Sequence, residues 1–515
     1  MILALCRELP SLERKTLYDD FHKGSDRSPA VMKEVLRLTY NLSLLAFMDV
    51  CPPFDGLSAQ DEQEARSILE REKTEKTMYY LMPQSWPACL PREVCQLTQI
   101  KELFLESIYT VPDEIVHLQQ LVGLRLSVAV RKFPEVICRL KQLRGLSFQG
   151  RNMKAVPDAI GDLTNLEILN LYGNELETLP ESIGSLTKLE SLYLSTNALT
   201  ALPESIGHLT NLTTLFVSEN KLASLPESIN TLTNLGEADF SDNQLTTLPK
   251  AFGELKSLFK LNLSKNALSS LPDSIGGLKE LAWVDFSENQ LTSLPESIGD
   301  LEKLEELIVS MNRLTKLPDS IGNLTSLVFL TLDENKLTVL PESMVQLCHL
   351  HHLTLSENHF RSFPDVIGQL TELASLDLNK NQITTLPKTI ENLLNVKKLH
   401  LNNNDLSALT DGIIKLEKLE ELLVSNNQLS SLPEELGNLT QLQKLHVDGN
   451  RLKTLPESVK NCSLLWSFDI SRNKLSHIPD CLGSLTSLET LYASGIPSEI
   501  IPGALRRSAK VRIWQ

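Results

Sequence analysis

From Pro157 to Pro502 the chain steps from anchor to anchor by 23 residues, and of the sixteen anchor positions fifteen are proline and one is Thr410. Six residues before each anchor from Pro180 to Pro479 stands an asparagine, in fourteen successive units from Asn174 to Asn473. So fixed a period means that the 515 residues cannot be divided into ordinary globular domains by length. Repetition on this scale marks units that stack on one another. Within one unit the apolar positions are Leu166, Leu169, Leu171, Leu176 and Leu179, then Ile183, Leu186 and Leu189. Leu169 and Leu171 alternate as in a strand, whereas Ile183 and Leu186 have the spacing of a helical turn opened by Pro180 at its first position. Each unit therefore reads as strand, turn, short helix, turn. The expected fold is an α/β solenoid with a parallel sheet on the concave face and short helices on the convex face. At the bend after each strand the backbone leaves the ladder, and the asparagine amide is placed to pair the stranded N–H and C=O groups of adjacent coils.

The pattern LxxLxLxxNxL followed by LPxxIGxL resembles the leucine-rich repeat family, in its 23-residue intracellular subtype. Ras-pathway scaffolds, plant intracellular Ras-group proteins and bacterial effectors carry similar units. The resemblance runs from 157 to 502 without interruption, and degraded units precede it at Pro91, Pro112 and Pro134. It implies about 18 repeats over 89–502, with a helical segment at 1–88 and a cap or tail at 503–515.

The first segment does not repeat. Ser28 and Pro29 open an amphipathic helix with Val31, Val35, Leu38, Leu42 and Leu45 on one face, stopped by Pro52 and Pro53. It is expected to cap the first coil, the alternatives being a small domain with its own partner or a site for a secretion chaperone. The tail carries Arg506, Arg507, Lys510 and Arg512 beside Val511, Ile513 and Trp514, and reads as a last strand over the final coil.

A formal net charge of −16 argues against nucleic acid as partner. Much of the acidity is built into the repeat, because the residue after the anchor is Asp or Glu except at Lys250 and Lys388 between Pro157 and Pro479. Carboxylates there suit the first turn of a helix. No apolar run is long enough to span a bilayer, and the first residues lack the pattern of a standard secretory signal. The sequons at Asn211, Asn323 and Asn438 are by-products of the repeat.

No phosphate loop, dinucleotide fingerprint, HExxH, GxSxG or spaced Cys/His set appears, so no cofactor or metal is expected. His351 and His352 are adjacent in a strand and point to opposite faces, and His400 and His446 read as surface residues. Some bacterial leucine-rich repeat effectors are cysteine-dependent ubiquitin ligases, which gives the alternative function. Here only the first segment could house such an activity, with Cys6 and Cys51 as its candidates.

The outward side chains of the strands are free to vary, since the core sets the rest. They sit twelve, ten, eight and seven residues before the anchor. Ile168, Tyr172, Tyr193 and Phe216 stand there on consecutive coils, and the three rings are expected to form one patch. Asp239, Trp283, Asp285, Ile308 and Phe329 continue the candidate partner-binding surface in an acidic middle stretch. The expected function is a non-enzymatic module, cytoplasmic or delivered into a host cell, that recognises a protein through its concave sheet. The resemblance suggests a small GTPase, or a host signalling or ubiquitin-pathway protein, as that partner.

Overall fold

The computed structural model describes residues 79–81, 94–96, 98–108, 110–128, 130–150 and 152–515. They fall into two compact units, the first ending at Lys221 and the second beginning at Leu222. In the first unit the strands Tyr79–Leu81, Glu102–Ile108, Gly123–Val128, Gly145–Gln149, Ile168–Asn170, Ser191–Tyr193 and Thr214–Phe216 each pair in parallel with the next. In the second, strands recur from Glu237–Asp239 to Thr490–Tyr492, and Arg512–Trp514 pairs with the last of these. The register is kept from coil to coil: Trp283 pairs with Glu306, and Glu306 with Phe329.

Of the segment 1–88, residues 79–81 are described, and they are strand rather than helix. Tyr79 precedes Pro91 by the same twelve residues that separate Ile168 from Pro180, so the coil anchored at Pro91 starts before residue 89. The helix expected over Val31 to Leu45 lies outside the described residues.

Leu169, Leu171, Leu176, Ile183, Leu186 and Leu189 are fully buried, one coil's contribution to the core. A buried leucine of this kind stabilises by roughly 1.5–3 kcal/mol, and no coil can bury its leucines without neighbours. The helical part of the coil differs from expectation. Glu181–Ser185 is a five-residue 3-10 turn, closed by Ile183 N–H to Pro180 C=O and Leu186 N–H to Ile183 C=O, both 3.1 Å. Pro180 is the cap, not the first helical residue, with extended φ −75° and ψ 151°. A 3-10 turn rises about 2.0 Å per residue against about 1.5 Å in an α-helix, so fewer residues cross the back of the coil. Close stacking follows: a Cβ at Gly184 would lie 2.5 Å from the carbonyl oxygen of Ser205 on the next coil, which leaves room for glycine alone. The acidic residue after the proline also has a partner in the next coil. Glu181 Oε2 accepts from Ser205 N–H and Glu296 Oε2 from Ser320 N–H, each at 3.1 Å, contacts that the first-turn argument did not foresee.

The asparagines form the ladder that their spacing implies. Asn289 Nδ2 donates to the carbonyls of Phe286 and Ser287 in its own coil, both at 3.1 Å, and to Leu263 of the preceding coil at 2.9 Å. Its Oδ1 accepts from Leu268 N–H at 2.9 Å. The same set recurs at Asn312, Asn335, Asn358 and Asn381. A second row of amides ties the coils on the way in: Asn165, Asn211 and Asn395 donate to Lys141, Thr187 and Thr371 carbonyls at 2.9, 2.7 and 3.0 Å. The Asn211 side chain is thus engaged within the solenoid.

The residue just before most ladder asparagines is left-handed. Glu288 (φ 53°), Met311 (φ 55°) and Thr196 (φ 58°) adopt this conformation, as do Gly173 and Gly449. For a β-branched residue such as Thr196 it is strained.

Replacing Asn289 by alanine leaves the Leu268 N–H without its acceptor and should cost about 1–3 kcal/mol for that unpaired group. Replacing exposed Gln290 next to it should change stability little. Equal shifts of the two variants in thermal melts would refute the ladder's role. Thr196→Asn should raise stability by about 0.4–1 kcal/mol, because asparagine tolerates the left-handed region. A lower melting temperature for this variant would show that its hydroxyl contact to Glu219 Oε2, at 3.1 Å, matters more than the strain.

Candidate functional site

The outward side chains come from the two ends of each three-residue strand. The two further positions assigned to this face follow the strand, in the bend. That difference puts the three rings of the first unit at two kinds of position. Tyr193 and Phe216 are register partners, and their rings meet edge to face with centroids 5.6 Å apart. Tyr172 lies two residues past Asn170, the register partner of Tyr193, and its N–H donates to Asn170 Oδ1 at 2.9 Å. It is an exposed ring, 52% accessible, carried by the bend and not by the strand. Ile168, 48% accessible, stands beside Ser191 at the opposite end of the strand.

In the second unit one row of outward positions runs Lys260, Trp283, Glu306, Phe329, His352 on successive strands. Lys260 Nζ lies 5.5 Å from the centre of the Trp283 ring. Phe329 and His352 stack with centroids 4.5 Å apart and planes 7° from parallel. Ile308 belongs to the neighbouring row, between Asp285 and Thr331, and Met311 is exposed in the bend beyond it.

Asp239 and Asp285 have a structural task that spacing did not disclose. Asp239 Oδ1 accepts from Ser241 N–H at 3.0 Å, and Asp285 Oδ1 from Ser287 N–H at 2.7 Å, so each carboxylate holds the bend that follows its own strand. In other coils the preceding coil supplies the acceptor. Asp333 Oδ1 takes Ser356 N–H at 2.7 Å, and Asn379 Oδ1 takes Asn402 N–H at 2.6 Å.

Further along, the face carries a charge cluster that sequence reasoning resolved only in part. His400 Nδ1 lies 3.7 Å from Asp377 Oδ2 and its Nε2 3.4 Å from Glu421 Oε2. Lys444 Nζ lies 3.1 Å from Glu421 Oε1. Burial works to raise the Glu421 carboxyl, but Lys444, Lys398 and His400 outweigh it and hold it below the usual range. Asp377 and His400 occupy the same position in neighbouring coils, as do Lys398, Glu421 and Lys444. Aligning every unit on its proline would have brought these residues together. His400 and His446 are therefore engaged side chains: His446 Nε2 lies 3.1 Å from Ser467 Oγ, and its ring meets Tyr492 edge-on at 6.5 Å. His351 Nδ1 sits 2.6 Å from the His349 carbonyl, whereas His352 stacks on Phe329.

Cys6 and Cys51 lie outside the described residues. Cys95, Cys138, Cys348, Cys462 and Cys481 are free thiols. Burial pushes Cys138 up to about 12 and Cys462 to about 11, and burial with the Glu457 contact takes Cys481 to about 11, which leaves them protonated and weakly nucleophilic. Cys348 Sγ lies 3.5 Å from His349 Nδ1, but that nitrogen donates to the Thr325 carbonyl at 2.8 Å and so is no base for the thiol. Among the described residues no group of three or more His, Cys, Asp or Glu is arranged to hold a metal, and no helix is long and apolar enough to cross a membrane.

The parallel strands, the amide ladder and the variable outward face define a repeat solenoid that presents side chains on a backbone frame. The pattern described as "Leucine-rich repeat region" matches residues 131–200, 258–340 and 334–448, and that described as "Leucine rich repeat" matches 210–268 and 440–495. The chain belongs to the leucine-rich repeat family. A leucine-rich repeat protein of Leptospira interrogans is similar to it at 36% identity, over 73% of this chain and 97% of that one, with a TM-score of 0.66. The plant peptide hormone receptor RGFR1 in complex with RGF2 is similar at 28% identity, over 81% and 70% of the two chains, with a TM-score of 0.67. The Arabidopsis receptor kinase HAESA, in complex with the peptide hormone IDA and the co-receptor SERK1, is similar at 28% identity, over 78% and 76%, with a TM-score of 0.59. Among curated proteins none matches the chain significantly.

Burial holds the His446 imidazole below its ordinary 6.5, against the opposing pull of Asp469 and Asp448. Burial, then His351 and Lys398, does the same at His352. Both rings stay neutral in the fold while the unfolded chain takes up protons, so stability falls as the pH drops from 6.5 through the lowered folded values. The melting temperature should therefore decline between about pH 7 and pH 5.5, and the His352→Gln, His446→Gln double variant should flatten that decline. An unaltered slope would assign it to other groups.

Proposed function

We propose that the chain is a non-enzymatic protein-binding module that recognises its partner through the outward face of its strands. The observation that carries this reading is the set of large apolar side chains held out on that face. Ile168, Tyr172 and Phe329 are exposed, while their chain neighbours Leu169, Leu171 and Leu330 are fully buried and lock the backbone beneath them. Exposed aromatics on a rigid frame are typical of interface anchors. Two of the similar plant receptors are seen with peptides, which supports a binding role for the solenoid. The fixed 23-residue unit favours the intracellular subtype. The free thiols suit a reducing compartment, the cytoplasm or that of a host cell into which the chain is delivered. A signalling protein of the small-GTPase or ubiquitin-pathway kind fits that setting.

Once a partner is captured by proximity labelling, Phe216→Ala or Tyr193→Ala should weaken its binding by about 2 kcal/mol or more. The melting temperature should stay near its original value, since both rings point away from the core. Glu204→Ala, on the 3-10 side, should leave affinity as it was. The reading fails if that substitution abolishes binding and the two ring truncations are silent.

A further inference from the structure

The second unit's strand face carries information about the chemistry of its partner, if the binding role proposed above holds. Trp283, Phe329 and His352 lie in one row with Ile308 beside it, and Met311 is exposed at 44% in the bend. These side chains make an apolar strip. Carboxylates line it: Glu306 stands within the row between Trp283 and Phe329, and Asp285, Glu288, Asp333 and Glu334 occupy the adjoining positions of the same coils.

The cations on this stretch neutralise only part of that charge. Lys265 pairs with Glu288 at 3.9 Å, Lys380 pairs with Glu357 and also acts on Glu334, and Lys260 lies over the Trp283 ring. Glu306 and Glu334 form no ion pair among the described residues, and Asp285 and Asp333 receive N–H and hydroxyl groups rather than cations. Burial leaves His352 uncharged at neutral pH, so the far end of the row adds no positive charge. An apolar strip edged by an excess of carboxylates, of which only Glu288 has a lysine partner, repels an acidic partner and attracts one that offers apolar and cationic side chains together.

We infer that this face of the second unit takes a basic, apolar, extended segment of another protein. Five strands at about 4.8 Å spacing set the row's length near ~19 Å, which an extended chain of about six residues crosses. Its apolar side chains lie against Trp283, Ile308 and Phe329, and its lysines or arginines meet Glu306, Asp285 and Glu334.

Fluorescence anisotropy on the full chain tests this with three labelled peptides of about ten residues. One alternates arginine with leucine, the second has glutamate for arginine, and the third has serine for leucine. The first should bind at least about tenfold more tightly than either of the others. Phe329→Ala or Trp283→Ala should weaken it about tenfold or more, and the Glu306→Gln, Glu334→Gln pair should weaken it and reduce its salt dependence. Neutralising Glu296 and Asp319 on the 3-10 side changes net charge equally and should have no effect; an equal loss there would reduce the binding to diffuse attraction and overturn the inference. Tight binding of the glutamate peptide, still dependent on Phe329, would overturn the partner chemistry and leave the strand face in place. Binding insensitive to every strand-face variant would overturn both.

Discussion

Every coil of the regular array depends on one side-chain amide. The backbone bends sharply after three residues of strand, and the bend strands polar groups where water does not reach. Asn289 and its equivalents answer this with two donors and one acceptor divided between their own coil and the one before. Leucine burial supplies most of the driving force, but it has no direction and would tolerate slippage between coils. The amide tolerates none, because a shift by one residue leaves the Leu268 N–H without its acceptor and takes from the Leu263 carbonyl the donor that crosses between coils. The left-handed residue before the asparagine is the geometric cost of aiming the amide inward.

This division of labour frees the outward face. The central strand position that Leu307 and Leu330 hold in later coils is taken by Val284 in its own, fully buried, while its neighbours Trp283 and Asp285 point out on either side. The outward residues nevertheless are not wholly free. Asp239 and Asp285 each commit an oxygen to the bend, and Asp333 reaches into the next coil to do the same. Apolar side chains such as Phe329 and Ile308 carry no such duty, so their exposure on this face calls for a partner more strongly than that of the acids.

The period alone made strand, bend and ladder legible, because a 23-residue step leaves Leu169, Asn174 and Pro180 only one stacking arrangement that buries the first and pairs the second. The 3-10 form of the return segment was not legible. Pro180 suits both a cap and a first helical residue, and the choice is made by the stacking of Gly184 under Ser205 rather than by local preference. At the face, Tyr193 and Phe216 are neighbours as their register implies, whereas Tyr172 stands in the bend because the strand ends at Asn170. The Asp377, His400 and Glu421 cluster escaped because its members are far apart in sequence and belong to two neighbouring positions of the unit.

Since each ladder amide looks only one coil back, a coil's polar groups are indifferent to how many coils lie beyond its neighbour. Duplicating or deleting a whole coil within the second unit of the structure would place the same asparagine over the same carbonyls. Genetic exchange between repeats would then lengthen or shorten the chain in quanta of one coil, altering the reach of the outward face while leaving the local chemistry of the frame as it was.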